Sequence, residues 1–274
     1  MDKQRVTSNA ASPDRRRLGR ASRPTPNGRG GRFFGVAIVC LALAVQPSHR
    51  TLAQAPCPIP DSIALRDISL PAAKGEVAAD QHLIVLTFGG VLPAGADAEA
   101  TGATFPARLQ AALRTALPQI EVTVKNEPPP GKTSADVPAV LPDLIAKTGA
   151  RLVIWGPGGR DVAAHANLDI FLNAVRDGIG ATRGAGADLI LLDTTFVPSP
   201  ARMAMIEGYR QKLLSAAAEN HVPLLRRHAM MRLWSENGTL DLAARDKPEQ
   251  ELVARHLFSC VAQGLAAPIA AAVK

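Results

Sequence analysis

Five short apolar runs, spaced along the chain, are the feature that most limits the possible folds. Each has four to six residues, which is too short and too continuously apolar for an exposed amphipathic helix. Each run therefore predicts a strand buried on both faces. The runs are Leu83 to Phe88, Ile120 to Val124, Leu152 to Trp155, Leu189 to Leu192 and Val222 to Leu225.

Helical patterns lie between these runs. Apolar residues recur at helical spacing in three stretches: Phe105, Leu109 and Leu113; Leu168, Phe171, Leu172, Val175 and Ile179; and Met203, Ile206 and Leu213. Alternating strands and helices predict a single three-layer α/β/α domain, with a parallel sheet of about five strands and right-handed crossovers, as in flavodoxin-like folds.

One predicted helix, Ala135 to Lys147, contains two prolines, Pro138 and Pro142. Proline lacks the backbone N–H that a helix interior needs. Two readings follow: the helix has a broken start, or Pro142 sits in the first turn of a shorter helix.

The N-terminus has the pattern of an export signal. Residues 1–32 are polar and rich in arginine, and Phe33 to Val45 is a 13-residue apolar run, shorter than the roughly 20 residues of a membrane span. Ala53-Gln54-Ala55 supplies a small-x-small cleavage pattern. We expect export to the periplasm or beyond with cleavage after Ala55, the alternative being an uncleaved anchor. The predicted organisation is a signal peptide with a long basic start at 1–55, an N-terminal arm at 56–80 and the α/β/α domain at 81–274.

Removing this leader changes the charge balance. The full chain has 31 Lys and Arg against 24 Asp and Glu, whereas residues 56–274 have 21 against 22, a net charge of about −1. The basic character thus belongs to the targeting segment, which argues against a nucleic-acid partner. No stable membrane span is expected after processing.

Two cysteines remain after residue 55, Cys57 and Cys260. In an oxidising compartment they are expected to form a disulfide between the arm and the last helix. The alternative is two unrelated thiols.

The loops after the strands are the expected ligand-binding region of a parallel sheet. Gly90 and Gly95 have the glycine spacing of a phosphate loop, but Ala96 and Asp97 follow where lysine and serine or threonine are needed. No nucleotide cofactor is therefore expected. The histidines form no metal-ligand motif, so no metal site is expected either.

Three loops, in their order along the chain, carry a family resemblance. They are Phe88-Gly89-Gly90-Val91, then Asn126-Glu127-Pro128-Pro129-Pro130-Gly131, then Trp155-Gly156-Pro157-Gly158-Gly159-Arg160-Asp161. From about His82 to Ala266 the chain resembles the SGNH (GDSL-like) hydrolases, particularly exported bacterial esterase-like members. The resemblance implies a serine nucleophile in the first loop, oxyanion donors in the second and third, and an Asp-x-x-His block before the last helix.

The residues at those positions differ from the family's. The first-loop serine position holds Val91, which cannot attack a carbonyl, and in the proline run only Gly131 retains an N–H. The asparagine position holds Arg160. Counting back from Cys260 places Glu249 and Leu252 at the acid and histidine positions. These substitutions predict an impaired or inactive hydrolase.

Three functions remain open. The first is a catalytically impaired envelope protein that binds acylated carbohydrate, cell-wall material or a partner protein. The second is an active esterase or acetyl hydrolase whose site is rebuilt from Ser134 and His256, and the third is another flavodoxin-like binding protein for a small ligand. Asp193 is expected to cap or turn a loop, and Trp155 to belong to the core. The expected pocket is formed by Gly89, Gly90, Val91, Gly131, Gly158, Arg160 and Asp161.

Overall fold

The sheet has five parallel strands, as predicted. A computed structural model describes residues 57–89, 98, 101–127 and 133–274. The strands lie in the order β2-β1-β3-β4-β5, all pairs being parallel. They are β1 (His82–Gly89), β2 (Glu121–Asn126), β3 (Leu152–Gly156), β4 (Asp188–Leu192) and β5 (Leu224–Leu225).

Eight α-helices connect and flank the strands in the described part of the chain. They are α1 (Pro71–Asp80), α2 (Phe105–Ala116), α3 (Val137–Thr148), α4 (Gly159–Ala163), α5 (Leu168–Gly184), α6 (Pro200–Glu219), α7 (Arg227–Glu236) and α8 (Lys247–Val273). A single 3-10 turn, Ser134–Asp136, precedes α3, and Pro142 lies inside that helix. The predicted helix therefore has a broken start, and the placement of Pro142 in a first turn is wrong.

Two apolar cores, one on each face of the sheet, make the fold a three-layer sandwich. Alternate residues of β1 point to opposite faces: Leu83 and Val85 join the core under α1, α2, α7 and α8. Leu86 and Phe88 join the core under α3, α5 and α6. The predicted α/β/α architecture is confirmed.

The N-terminal arm packs onto the domain through polar contacts as well as apolar ones. The Ala73 N–H donates to Asp188 Oδ2 at 2.9 Å, and Trp234 Nε1 donates to the Pro58 carbonyl at 2.9 Å. Cys57 and Cys260 form the predicted disulfide, with 5.5 Å between their Cα atoms. The arm is thus held at both of its ends. The predicted leader, 1–55, lies outside the described residues.

Helix α8 is long and apolar enough, by length and composition, to cross a membrane. Its most apolar window has a mean hydropathy of 1.5, and 56% of that window is buried within the protein. Packing in the core that α8 shares with α1, α2 and α7 therefore accounts for most of its apolar side chains.

Candidate functional site

Two glycines meet where the sheet changes winding direction. Gly89 ends β1 and pairs with Gly156 at the end of β3. Gly89 has a φ of +72°, and a Cβ there would lie 2.7 Å from the Gly156 carbonyl oxygen. Only glycine fits this close approach. The carboxyl ends of β1 and β3 mark the topological switch point, where ligands bind in open parallel sheets.

A cavity of about 510 Å³ opens at this edge of the sheet. Its lining includes four residues of the predicted pocket: Gly89, Gly158, Arg160 and Asp161. The remaining three, Gly90, Val91 and Gly131, lie outside the described residues.

Asp161 connects two of the loops that form the cavity. Its carboxylate accepts hydrogen bonds from the Ser134 hydroxyl at 2.7 Å, the Ser134 N–H at 3.0 Å and the Gly158 N–H at 3.2 Å. Gly158 has a φ of +100°, which favours glycine. Asp161 is only 2% exposed. The carboxylate therefore fixes loop geometry, and the Ser134 hydroxyl proton is directed at it.

The structure does not bring together the proposed replacement pair, Ser134 and His256. Ser134 lines the cavity on the α3 and α5 side of the sheet. His256 belongs to α8 in the opposite layer, with Nε2 3.8 Å from Cys57 Sγ beside the disulfide. It is not part of the cavity lining. Two side chains separated by the sheet cannot act as nucleophile and base.

The predicted positions of the Asp-x-x-His block, Glu249 and Leu252, need correction. Helix α8 begins at Lys247, and Asp246 caps it by accepting a hydrogen bond from the Glu249 N–H at 2.9 Å. Leu252 is 64% exposed on the helix surface. Both residues lie inside the last helix, whereas the family block precedes it. In the segment before α8, Asp241 is followed three residues later by Ala244, and residues 237–246 contain no histidine.

A buried ionic cluster follows β4 and β5. Asp193, expected to cap or turn a loop, is fully buried. Its Oδ1 accepts the Thr194 N–H at 2.8 Å, and Arg210 Nε lies 3.4 Å from its Oδ2. Burial raises the pKa of Asp193, and the positive charge of Arg210 opposes that rise. Arg227 is 5% exposed and donates Nε–H to the Asp193 carbonyl at 2.8 Å.

Arg227 links this cluster to the cavity, because it also belongs to the cavity lining. Burial lowers the pKa of its guanidinium to about 10, so the side chain is cationic at neutral pH. The sequence pattern alone gave no reason to single out Arg227. A usable signal was its place two residues after the last strand, where ligand-binding loops begin.

His228, next to Arg227, is 8% exposed and its ring meets the edge of Phe196, with 5.5 Å between centroids. Its buried Nδ1 has no hydrogen-bond partner among the described residues. Burial lowers the pKa of His228, and Arg210 lowers it further. The ring is neutral at neutral pH and does not line the cavity.

The fold and the cavity at its switch point define an α/β/α domain of the SGNH type. Residues 56–274 match the sequence profile of the Non-GDSL lipase-like family, and the chain belongs to that family. No protein of curated function matches the chain by sequence.

Solved structures share the fold. LAE5, an alpha/beta hydrolase enzyme from the metagenome of Lake Arreo, Spain, is 18% identical with a TM-score of 0.53, covering 72% of this chain and 97% of its own. Axe2, an acetylxylan esterase from Geobacillus stearothermophilus, is 19% identical with a TM-score of 0.51, covering 65% of this chain and 90% of its own. At these identities the similarity establishes the fold.

Proposed function

We propose that this protein is an exported, non-hydrolytic member of its family that binds a ligand in the cavity at the carboxyl edge of the sheet. One observation carries the proposal. The described lining of the cavity contains no histidine and no cysteine, and its one serine, Ser134, is hydrogen-bonded to a buried carboxylate.

Acyl transfer requires a base within hydrogen-bond reach of a nucleophile. Asp161 has a structural role, because its carboxylate also accepts two backbone N–H bonds that join the Ser134 turn to the Gly158 turn. Thr194 directs its N–H and hydroxyl toward Asp193 instead. The loop sequences 90–97 and 128–132 contain no serine, threonine, cysteine or histidine. Neither loop can therefore supply a hydroxyl or thiol nucleophile or an imidazole.

The ligand class follows from the cavity and from the neighbours of this fold. A volume of about 510 Å³ is within the range of roughly 300–1,000 Å³ typical of small-molecule sites. Axe2 is an acetylxylan esterase, and acetylxylan is an acetylated carbohydrate polymer. We therefore assign the cavity to an acylated carbohydrate or a cell-wall fragment.

A fluorophosphonate probe and a short acyl ester, p-nitrophenyl acetate, test the absence of hydrolysis. The protein is expressed from the full-length sequence, and an active acetylxylan esterase is assayed in parallel. We expect no labelling and no turnover above buffer, with Ser134→Ala indistinguishable from the wild type.

Labelling or turnover that disappears in Ser134→Ala would overturn the proposal and support the rebuilt-esterase alternative. Turnover that persists in Ser134→Ala but copurifies with the protein through two further columns would also overturn it. N-terminal sequencing of the exported protein tests the cleavage after Ala55.

A further inference from the structure

Three arginines from three different elements line the cavity. Arg160 is in α4, Arg202 is the third residue of α6, and Arg227 is the first residue of α7. The same lining includes the apolar side chains of Val137 and Ile206.

The two acidic residues of the described lining are engaged with other groups. Glu127 accepts a hydrogen bond from Lys147 Nζ at 3.2 Å, outside the cavity lining. Asp161 accepts from Ser134 and Gly158, as described above. The described lining thus carries three arginine charges against two carboxylate charges, and Lys147 neutralises one of those carboxylates from outside the cavity.

Arg227 presents its guanidinium in a fixed orientation. Its Nε–H is held by the Asp193 carbonyl at 2.8 Å, and the side chain is 95% buried. Packing on all sides restricts its rotamers, so little side-chain entropy is lost when a ligand binds. Arginine in such a setting is well suited to paired hydrogen bonds with planar or tetrahedral oxyanions.

Arg202 supplies a second positive group at the mouth of the cavity. It is exposed, and no described residue forms a hydrogen bond or an ion pair with it. It lies in the first turn of the 20-residue α6, whose N-cap residue Ser199 provides no side-chain cap. The unpaired N–H groups of that turn add partial positive charge on the same side.

We infer that the cavity selects a ligand carrying an oxyanion, either a carboxylate or a phosphoryl group, beside a saccharide or acyl part. The inference rests on the proposed function, since both use the same cavity. The oxyanion lies between Arg202 and Arg227, and the remainder of the ligand extends along Val137 and Ile206.

Binding of three probes tests this inference: glucuronate, glucose 6-phosphate and glucose. Ligand-detected NMR measures dissociation constants in the millimolar range, with inorganic phosphate as competitor. We expect both anions to bind at least about tenfold more tightly than glucose, as expected for hydrogen bonds to charged groups. The ratio of the dissociation constants of glucuronate and glucose 6-phosphate distinguishes a carboxylate ligand from a phosphoryl ligand. Added salt should weaken both.

Arg202→Met is the informative variant, because an exposed side chain can be replaced without unfolding the domain. It should weaken anion binding by about tenfold and leave glucose unchanged. Arg176→Met is the matched control, since it removes the same charge. Arg176 pairs with Glu219 at the opposite end of α6, with an N–O distance of 2.5 Å. It should leave all three affinities unchanged.

Glucose binding as tightly as the anions would overturn the inference while leaving the proposed function intact. The inference would also be overturned if Arg202→Met bound the anions as tightly as Arg176→Met does. Absence of anion binding at millimolar concentration would overturn it as well. If the protein hydrolysed esters and still bound anions more tightly than glucose, only the proposed function would be overturned, and the inference about the oxyanion would stand.

Discussion

The contact between α5 and the sheet leaves no room for a side chain at Gly178. A Cβ there would lie 2.4 Å from Trp155 Cζ3 and 2.8 Å from Cη2. Trp155 cannot move away easily, because it is 2% exposed and stacks on Phe88 with 5.6 Å between ring centroids. Gly180, in the same helix, has no atom within 4 Å of the position of its missing Cβ.

The two glycines should therefore respond oppositely to alanine. Overpacking a core costs about 1–3 kcal/mol, and alanine regains up to about 1 kcal/mol of helix propensity. We expect Gly178→Ala to lower the free energy of unfolding by about 1–2 kcal/mol. Gly180→Ala should raise it by about 0.5–1 kcal/mol.

Urea unfolding and thermal melts of the two variants measure this difference. In a domain of this size the loss at Gly178 corresponds to a fall in Tm of roughly 2–8 °C. In a Trp155→Phe background, which removes the contacting ring atoms, Gly178→Ala should lower the free energy of unfolding by a smaller amount. A Gly178→Ala variant as stable as Gly180→Ala would refute the packing argument.

Two further perturbations test other parts of the structure. Replacing Cys57 and Cys260 together by alanine should remove up to about 4–5 kcal/mol, because the bridge closes a loop of 203 residues; equal urea midpoints for the double variant and the wild type would contradict this. In the folded protein, burial lowers the pKa of His228 from its ordinary value of 6.5. Protonation of the ring therefore favours the unfolded state, so the stability that the neutral ring maintains is fully present above pH 6.5 and is lost as pH falls through and below that value. The unfolding free energy of His228→Gln should thus change less between pH 7 and pH 5, whereas His165→Asn, at an exposed position, should follow the wild type.

The strands were predictable because a strand buried on both faces needs apolar residues at consecutive positions, as in β1 and β3. The last strand is shorter than its apolar run. Pro223 has no N–H to donate to the ladder, and the Val222 N–H bonds to the Ala217 carbonyl. Only Leu224–Leu225 pair with β4.

The site was less predictable, because its side chains meet across long sequence separations. Asp193 and Arg227 are 34 residues apart and come together only when β4 and β5 pair. The misplacement of Glu249 and Leu252 has a different cause. Asp246, Pro248 and Glu249 form a helix-start pattern, which places both Glu249 and Leu252 inside the last helix.

Asp161 has a consequence for how such a domain can diversify. Its carboxylate joins the Ser134 turn to the Gly158 turn, so one side chain holds two walls of the cleft to each other. A chain that keeps this buried acid keeps the link between the two turns even when other residues of the cleft change. Recognition and bond cleavage can then evolve separately on one scaffold, and Asp161→Asn would be expected to disturb recognition even where there is no chemistry to lose.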